Sequence, residues 1–110
     1  MYYVYIVLNL DNRNFYTGYT EDLKKRITQH QNKEVFTTRN FEHFELVYYE
    51  ACLNKYDAIK RERYLKSSPG KRYLKNRLKN FMKKIDWGRG PFKQTVRGFS
   101  LKKVSLSRLY

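Results

Sequence analysis

The chain has 110 residues, which is enough for one domain with its own hydrophobic core. Apolar residues make up 41% of the chain and aromatic residues 17%, so an intrinsically disordered protein is excluded even though 31% of the residues are charged. Lysine and arginine total 24 against 10 acidic residues, and the formal charge of +14 predicts binding to a polyanion, with nucleic acid as the expected partner.

The sequence indicates neither a membrane protein nor an exported one. It has no run of about 18 apolar residues and no readable lipidation signal. The apolar start, Met1 to Leu10, lacks the basic leader and small-residue cleavage site of a signal peptide, so it is predicted to be a strand. Cys52 is the single cysteine, which excludes an internal disulfide, and a reducing, cytoplasmic location is expected.

Two antiparallel strands are predicted first. Residues 2–8 are almost all aromatic or β-branched, residues 11–14 form a turn cluster, and a second short run covers residues 15–17. One face of the first strand is expected to be core. Its side chains alternate between two faces: Tyr3, Tyr5 and Val7 on one, and Val4, Ile6 and Leu8 on the other.

Three helices and a third strand follow. A helix over residues 21–31, after Gly18 and with Thr20 as N-cap, precedes a strand over residues 44–49. Asn54 caps a second helix, which the segment 67–70 stops, and a third helix continues to about residue 84. The buried positions of these two helices are predicted to be Ala58, Ile59, Tyr64 and Leu65, then Leu74, Leu78, Phe81 and Met82. The fold class is α/β in its α+β form.

A domain boundary is predicted after residue 85, giving a domain over residues 1–85 and a basic extension over residues 86–110. Glycine and proline punctuate the extension, and no acidic residue follows Asp86. Residues 99–101 and 104–106 alternate well enough for short strands, and a mobile basic tail is an equally good interpretation.

Glu62 is the most informative single residue. Residues 60–84 hold eleven lysines and arginines and one acid, Glu62, which helical spacing places among the apolar positions. A carboxylate there is normally paired with a cation or bound to a metal, because burying an unpaired charge costs several kcal/mol. A salt bridge to Arg26 or to a neighbouring basic residue is the simpler interpretation.

Arg26 and His30 lie four residues apart on the first helix and therefore share a face. An arginine fork can bind two phosphate oxygens and a histidine can move a proton near neutral pH, although a solvated arginine with a surface or core histidine would give the same spacing. Tyr5 and Tyr16 can meet across the hairpin, where Gly18 allows close backbone approach, or they can serve core packing alone.

Four segments, taken in order, resemble the motifs of the GIY-YIG endonucleases. They are Tyr3-Val4-Tyr5, Tyr16-Thr17-Gly18, Leu23-Lys24-Lys25-Arg26-Ile27 with His30, and Ala58-Ile59-Lys60-Arg61-Glu62. The chain looks most like the small stand-alone bacterial members related to the N-terminal domain of the excision-repair nuclease UvrC. The resemblance runs from about Tyr2 to Leu78, and it depends on the order and spacing of all four segments.

The resemblance implies a three-stranded antiparallel sheet flanked by helices and a single divalent ion, Mg²⁺ or Mn²⁺, held by Glu62. Arg26 would stabilise charge on the scissile phosphate, while Tyr5 and Tyr16 would position or deprotonate the attacking water. His30 is a competing base, because an ordinary tyrosine pKa is near 10.

The chain departs from the family pattern at several positions. Tyr3 replaces a glycine and Thr17 an isoleucine, both at backbone or packing positions. Tyr19 stands where the UvrC-like pattern has a lysine, which affects how water and phosphate are organised. Asn76 is the available candidate for a late asparagine found in many members.

The leading hypothesis is therefore metal-dependent cleavage of DNA, with structure, damage or a partner protein selecting the target, in repair or recombination. Contacts to the backbone would position the DNA without reading its sequence. The residues expected to make them are Lys25, Lys60, Arg61, Arg63, Lys66, Lys71 and Arg72. The alternatives are a non-catalytic DNA- or RNA-binding module of the same fold, and a structural adaptor whose basic tail docks another protein.

Overall fold

The structure is a computed structural model that describes residues 1–87, with side chains described as far as residue 85. Its elements, in chain order, are β1 (Tyr2–Asn9), β2 (Phe15–Thr20), α1 (Leu23–Gln31), β3 (Phe44–Cys52), α2 (Lys55–Lys66), α3 (Ser68–Arg77) and α4 (Lys79–Trp87). The strands form one antiparallel sheet in the order β2-β1-β3, which confirms the predicted fold class. No described helix is long and apolar enough to span a bilayer.

The predicted boundary after residue 85 stays a prediction. Helix α4 continues as far as Trp87. The short strands or mobile tail predicted within residues 86–110 fall outside the described part of the chain.

The central strand β1 is buried on both faces, whereas the sequence suggested one core face. Tyr5 and Val7 pack with Leu23 and Ile27 of α1 on one side of the sheet. On the other side, Val4 and Ile6 pack with side chains of α2 and α3, namely Ala58, Leu65 and Leu74. The strand is therefore sandwiched between two helical layers, and alternate residues of β1 serve different cores.

Strand β2 runs through Gly18 and does not end before it, which corrects the predicted limit at residue 17. Gly18 is paired opposite Tyr5 in the ladder between β1 and β2. The Tyr5 ring lies directly against the backbone of Gly18, so only a residue without a side chain fits at this position of the strand. Strand β3 is likewise longer than predicted and continues to Cys52.

Helix α1 begins at Leu23, and its N-cap is Asp22, where the sequence predicted Thr20. The Asp22 carboxylate accepts a hydrogen bond from the backbone N–H of Lys25 at 3.0 Å, which satisfies one of the unpaired donors of the first turn. The Thr20 hydroxyl accepts instead from the backbone N–H of Asp22 at 3.1 Å. Both residues contribute to the start of the helix, but the capping oxygen comes two residues later than predicted.

Helix α2 is capped by Asn54, as predicted, through bonds to the backbone N–H groups of Tyr56 and Asp57. Tyr64, predicted to be buried, is 42% exposed. The segment 67–70 both ends α2 and starts α3, because Ser67 is the N-cap of α3 and Pro69 occupies its first turn. The single third helix predicted to about residue 84 is two helices, α3 and α4, separated at Leu78.

Candidate active site

Three buried side chains form a hydrogen-bonded chain at the centre of the candidate site. The Tyr5 hydroxyl lies 2.8 Å from Nε2 of His30, and Nδ1 of His30 lies 2.6 Å from the Thr38 hydroxyl. All three residues are fully buried. Strand β1 supplies Tyr5, the last turn of α1 supplies His30, and the loop before β3 supplies Thr38. Both nitrogens of a buried imidazole are thus satisfied by hydroxyl groups.

Tyr16 completes an aromatic cluster around this chain. Its ring centroid lies 6.2 Å from that of Tyr5 and 5.4 Å from that of His30, the latter in an edge-to-face arrangement. Tyr16 is half-buried and so reaches the surface, whereas Tyr5 does not. The structure therefore brings Tyr5, Tyr16 and His30, predicted from separate segments, into mutual contact.

The electrostatics of the cluster follow from its burial. Burial raises the pKa of Tyr5 well above its ordinary value, the Tyr16 phenol adds to the rise, and the nearby Arg26 guanidinium opposes it. Burial and the Arg26 charge lower the pKa of His30 from 6.5 to about 4. At neutral pH Tyr5 is therefore a neutral phenol and His30 a neutral imidazole.

Arg26 lies beside the cluster and at the edge of an open pocket. The pocket is formed where β2 meets α1 and is lined by Tyr19, Thr20, Glu21, Asp22, Lys25, Arg26 and Gln29. Arg26 is half-buried, and it is close enough to Tyr5 to lower the phenol pKa by charge and hydrogen bonding. A group with this access can bind an anion in the pocket while it contacts the buried cluster.

Tyr19 also lines the pocket, at the position where the UvrC-like pattern has a lysine. Its hydroxyl oxygen is buried and has no hydrogen-bond partner among the described residues. An unpaired buried hydroxyl is uncommon and costs free energy. Asn76, the candidate for the late asparagine, is exposed near the end of α3.

Glu62 lies on α2, in the helical layer that packs on the opposite face of the sheet from α1. Its side chain is 19% exposed, and Lys66, one turn later, places Nζ 3.4 Å from Oε2. Among residues 1–85, Lys66 is the polar partner described for Glu62. The structure therefore agrees with the simpler interpretation of the sequence, in which Glu62 pairs with a neighbouring basic residue. The same helix also contacts β2, the strand that carries Tyr16 and Gly18.

The predicted phosphate-binding residues have two kinds of environment. Six are exposed on α1, α2 and α3: Lys25, Lys60, Arg63, Lys66, Lys71 and Arg72. Arg61 is different, because its Nε and Nη2 each donate to the Glu50 carboxylate at 2.9 Å. The Tyr73 ring lies under the same guanidinium at 4.9 Å. Arg61 is therefore engaged in joining α2 to β3 and is the least suited of the seven to contact a phosphate.

A second group of candidate metal ligands was not predicted from the sequence. Asp11, Glu42 and His43, all among the described residues, bring their ligand atoms within 4.8 Å of one another. They meet because the end of β1 runs beside the start of β3, where Leu10 N–H donates to the His43 carbonyl at 2.8 Å. Nδ1 of His43 already lies 3.2 Å from the Asp11 carboxylate. Only the strand register, which the sequence does not reveal, could have indicated this group.

The sequence that forms this fold and this cluster matches a known class of domain. The family model described as the GIY-YIG catalytic domain matches residues 1–77, which include every residue of the candidate site. The chain therefore belongs to the GIY-YIG family, which is a nuclease family, and within it to the small UPF0213 proteins.

Relatives of that smaller group come from bacteria and from a virus. A UPF0213 protein of Clostridium perfringens is 43% identical over 67 residues, covering 60% of this chain and 71% of the relative. One of Staphylococcus saprophyticus is 37% identical and covers 67% and 90%, and one of Autographa californica nuclear polyhedrosis virus is 38% identical and covers 66% and 70%. The solution NMR structure of a UPF0213 protein from Bacillus halodurans is 31% identical and covers 88% of this chain and 96% of that one, with a TM-score of 0.43.

Proposed function

We propose that the chain is a divalent-metal-dependent DNA endonuclease that hydrolyses phosphodiester bonds at structured or damaged sites during repair or recombination. The observation that carries the proposal is the contact of Tyr5, Tyr16 and His30, with Arg26 beside them, in a domain of a nuclease family. A phenol that reaches the surface, a buried phenol and a guanidinium supply the groups needed to hold a water and a phosphate together.

Each group has a distinct role in this proposal. The Arg26 guanidinium binds the scissile phosphate at the pocket and neutralises charge that develops on it. The half-buried Tyr16 hydroxyl orients the attacking water, and Tyr5, held by His30, is hydrogen-bonded to Tyr16 or to that water. Because the neutral phenol of Tyr5 has a raised pKa, proton removal through it requires additional positive charge at the site.

The donor set is compatible with a hard cation such as Mg²⁺ or Mn²⁺. Glu62 offers a half-buried carboxylate whose Oε2 pairs with Lys66, and its Oε1 would bind a cation that completes its coordination with water and phosphate oxygens. Because α2 and α1 lie on opposite faces of the sheet, a cation bound there would supply positive charge to the phosphate and the attacking water across the edge strand β2, which α2 contacts. Exposed lysines and arginines of α1, α2 and α3 would hold the DNA backbone, and a protein partner is a further proposed means of selecting the target.

A supercoiled-plasmid nicking assay with Mg²⁺, Mn²⁺ or EDTA tests the proposal when DNA binding is measured in parallel. The wild type is expected to nick with either metal and not with EDTA. Glu62→Gln should still bind DNA and lose nicking by about a hundredfold or more. Glu42→Gln is the matched control, because Glu42 belongs to the other group of candidate ligands, and it should nick like the wild type.

The second candidate function is a DNA- or RNA-binding module. It is favoured by the Lys66 ammonium, which already partners the Glu62 carboxylate. If the wild type binds plasmid but never nicks it, and Glu62→Gln behaves identically, the endonuclease is rejected and the binding module is retained.

A further inference from the structure

Thr38 has no role in the catalytic proposal, yet it is one of the most completely buried polar residues of the described chain. It lies in the loop between α1 and β3, outside the motif segments. Two backbone bonds hold it in place: its N–H donates to the Val35 carbonyl at 3.2 Å, and its carbonyl accepts from the Phe41 N–H at 2.9 Å. The hydroxyl is therefore presented to His30 by a fixed turn.

The direction of the hydrogen bond between Thr38 and His30 follows from counting donors. A neutral imidazole has one N–H and one nitrogen lone pair, and each nitrogen of His30 faces one hydroxyl. If Nδ1 carried the hydrogen and donated to Thr38, the hydroxyl hydrogen of Thr38 would need another acceptor. Among residues 1–85 the only described partner of that hydroxyl is His30. A buried donor without an acceptor costs about 1 to 3 kcal/mol. In the opposite direction the Tyr5 hydroxyl hydrogen needs an acceptor, and the Tyr16 hydroxyl beside it supplies one, so this direction is favoured.

We propose that Thr38 is a positioning residue that donates its hydroxyl hydrogen to Nδ1 of His30, holds the ring as the Nε2–H tautomer, and so directs that N–H onto the Tyr5 oxygen. The inference deepens the proposed function, on which its catalytic part rests, because it assigns His30 the role of a donor to Tyr5. Tyr5 then keeps its own hydroxyl hydrogen for Tyr16 or the attacking water. His30 is consequently not the base.

Two features of the cluster agree with this assignment. The pKa of His30, lowered to about 4, keeps the ring neutral at physiological pH, so the ring carries a single N–H on one of its two nitrogens. Arg26, which lies beside the cluster, lowers the pKa of His30 further and opposes the rise that burial causes in the pKa of Tyr5.

Nitrogen-15 NMR of the imidazole side chains tests the tautomer without any nuclease assay. The chain has two histidines, so a His43→Gln variant assigns the signals of His30. In the wild type, Nε2 is expected to give the protonated-type resonance and Nδ1 the unprotonated-type resonance. The reverse pattern would overturn the proposal, whether or not the protein nicks DNA.

Thr38→Val and Thr38→Ser separate the hydroxyl from the packing of the side chain. Thr38→Ser keeps the donor and should keep the wild-type resonances and nicking rate. Thr38→Val removes it, so the two nitrogen resonances should move toward each other, and turnover at saturating DNA should fall by about tenfold with DNA affinity unchanged. Unchanged resonances in Thr38→Val would also overturn the proposal; if that variant does not fold, the wild-type spectrum decides alone. A wild type that shows the expected tautomer but never nicks would reject the endonuclease and leave the tautomer assignment standing.

Discussion

The backbone of Gly18 lies directly against the phenol of Tyr5. A Cβ built on Gly18 would overlap Cζ and Oη of the Tyr5 ring and lie 2.7 Å from its Cε1. No flexible end of a side chain is available to move away, because the ring is fully buried and its hydroxyl is bonded to His30. The glycine therefore sets the position of Tyr5, the proposed catalytic tyrosine.

Gly18→Ala should displace Tyr5 and break its hydrogen bond to His30. We expect a loss of about 1 to 3 kcal/mol in the free energy of unfolding, typical of overpacking, and a loss of nicking of at least about tenfold. Urea unfolding and plasmid nicking measure the two effects. An alanine variant with wild-type stability and activity would show that the Tyr5 ring can move at no cost, contrary to the packing described.

His30 should make stability depend on pH between about 4 and 6.5. The pKa of His30 is near 4 in the folded protein and 6.5 in the unfolded chain. Between these two pH values His30 is therefore protonated in the unfolded chain and neutral in the folded protein. The stabilisation is complete above pH 6.5 and is lost as the pH falls toward 4, with a slope of up to about 1.4 kcal/mol per pH unit. The groups around the ring are Tyr5, Tyr16, Thr38 and the charged Arg26.

Urea unfolding from pH 4.5 to 7 measures this slope. A His30→Gln variant should lose it, and His43→Gln, which alters the partly exposed histidine, should retain it. Equal slopes in the wild type and His30→Gln would mean that the buried imidazole is not responsible.

The paired hydrogen bonds between Glu50 and Arg61 should stabilise the fold and be independent of catalysis. Hydrogen bonds from Arg61 lower the pKa of the Glu50 carboxyl below its ordinary value of 4.5. Both side chains are partly exposed, so after screening by solvent we expect Glu50→Gln to cost about 1 kcal/mol at pH 7. Because the folded pKa is depressed, this contribution is present above pH 4.5 and is lost as the pH falls through the folded value.

The free energy of unfolding is measured for the wild type and Glu50→Gln at pH 7, where the Glu50 carboxyl is ionised, and at pH 3.5, where its contribution is being lost. Their difference should shrink at the lower pH, and nicking at a temperature where both are folded should be the same. A loss of nicking in folded Glu50→Gln would place this pair in the active site.

Lys71 should contribute to DNA binding through the phosphate backbone alone. It is exposed on α3, so Lys71→Ala should weaken binding equally on different sequences and lower the slope of log K against log salt concentration by about 1. Turnover at saturating DNA should not change. Lys79→Ala is the charge-matched control, because Lys79 is an exposed lysine of α4, outside the helices proposed to hold the DNA backbone. An equal effect of both substitutions would indicate diffuse attraction without a localised surface.

The sequence predicted the parts of the molecule that depend on local chemistry. Asn54 is the cap of α2 because its side chain and the following residues alone decide that role. The hairpin predicted that Tyr5 and Tyr16 can meet, and the family resemblance implied that His30 belongs to the same site; the structure brings the three side chains into contact. The break at Leu78 was missed because the apolar repeat continues across it, from Leu74 to Met82, while the two helices contact different clusters.

The parts that were missed depend on long-range geometry. Thr38 lies in a loop with no periodic pattern, and its contact with His30 exists only because that loop folds back over the end of α1. Asp11 and His43 are 32 residues apart and meet through the register of β1 and β3. Arg61 was predicted to bind phosphate because the sequence does not show that Glu50, on β3, lies across from it.

Strand β1 has neighbours on both edges and on both faces, since β2 and β3 flank it and two helical layers cover it. A substitution in the middle of β1 would disturb one of the two cores or displace Tyr5, so few substitutions are expected to be tolerated in this strand. Adaptation of the protein to a new substrate must then come from its periphery. The exposed residues of α2 and α3 are the positions where specificity can change without a loss of folding.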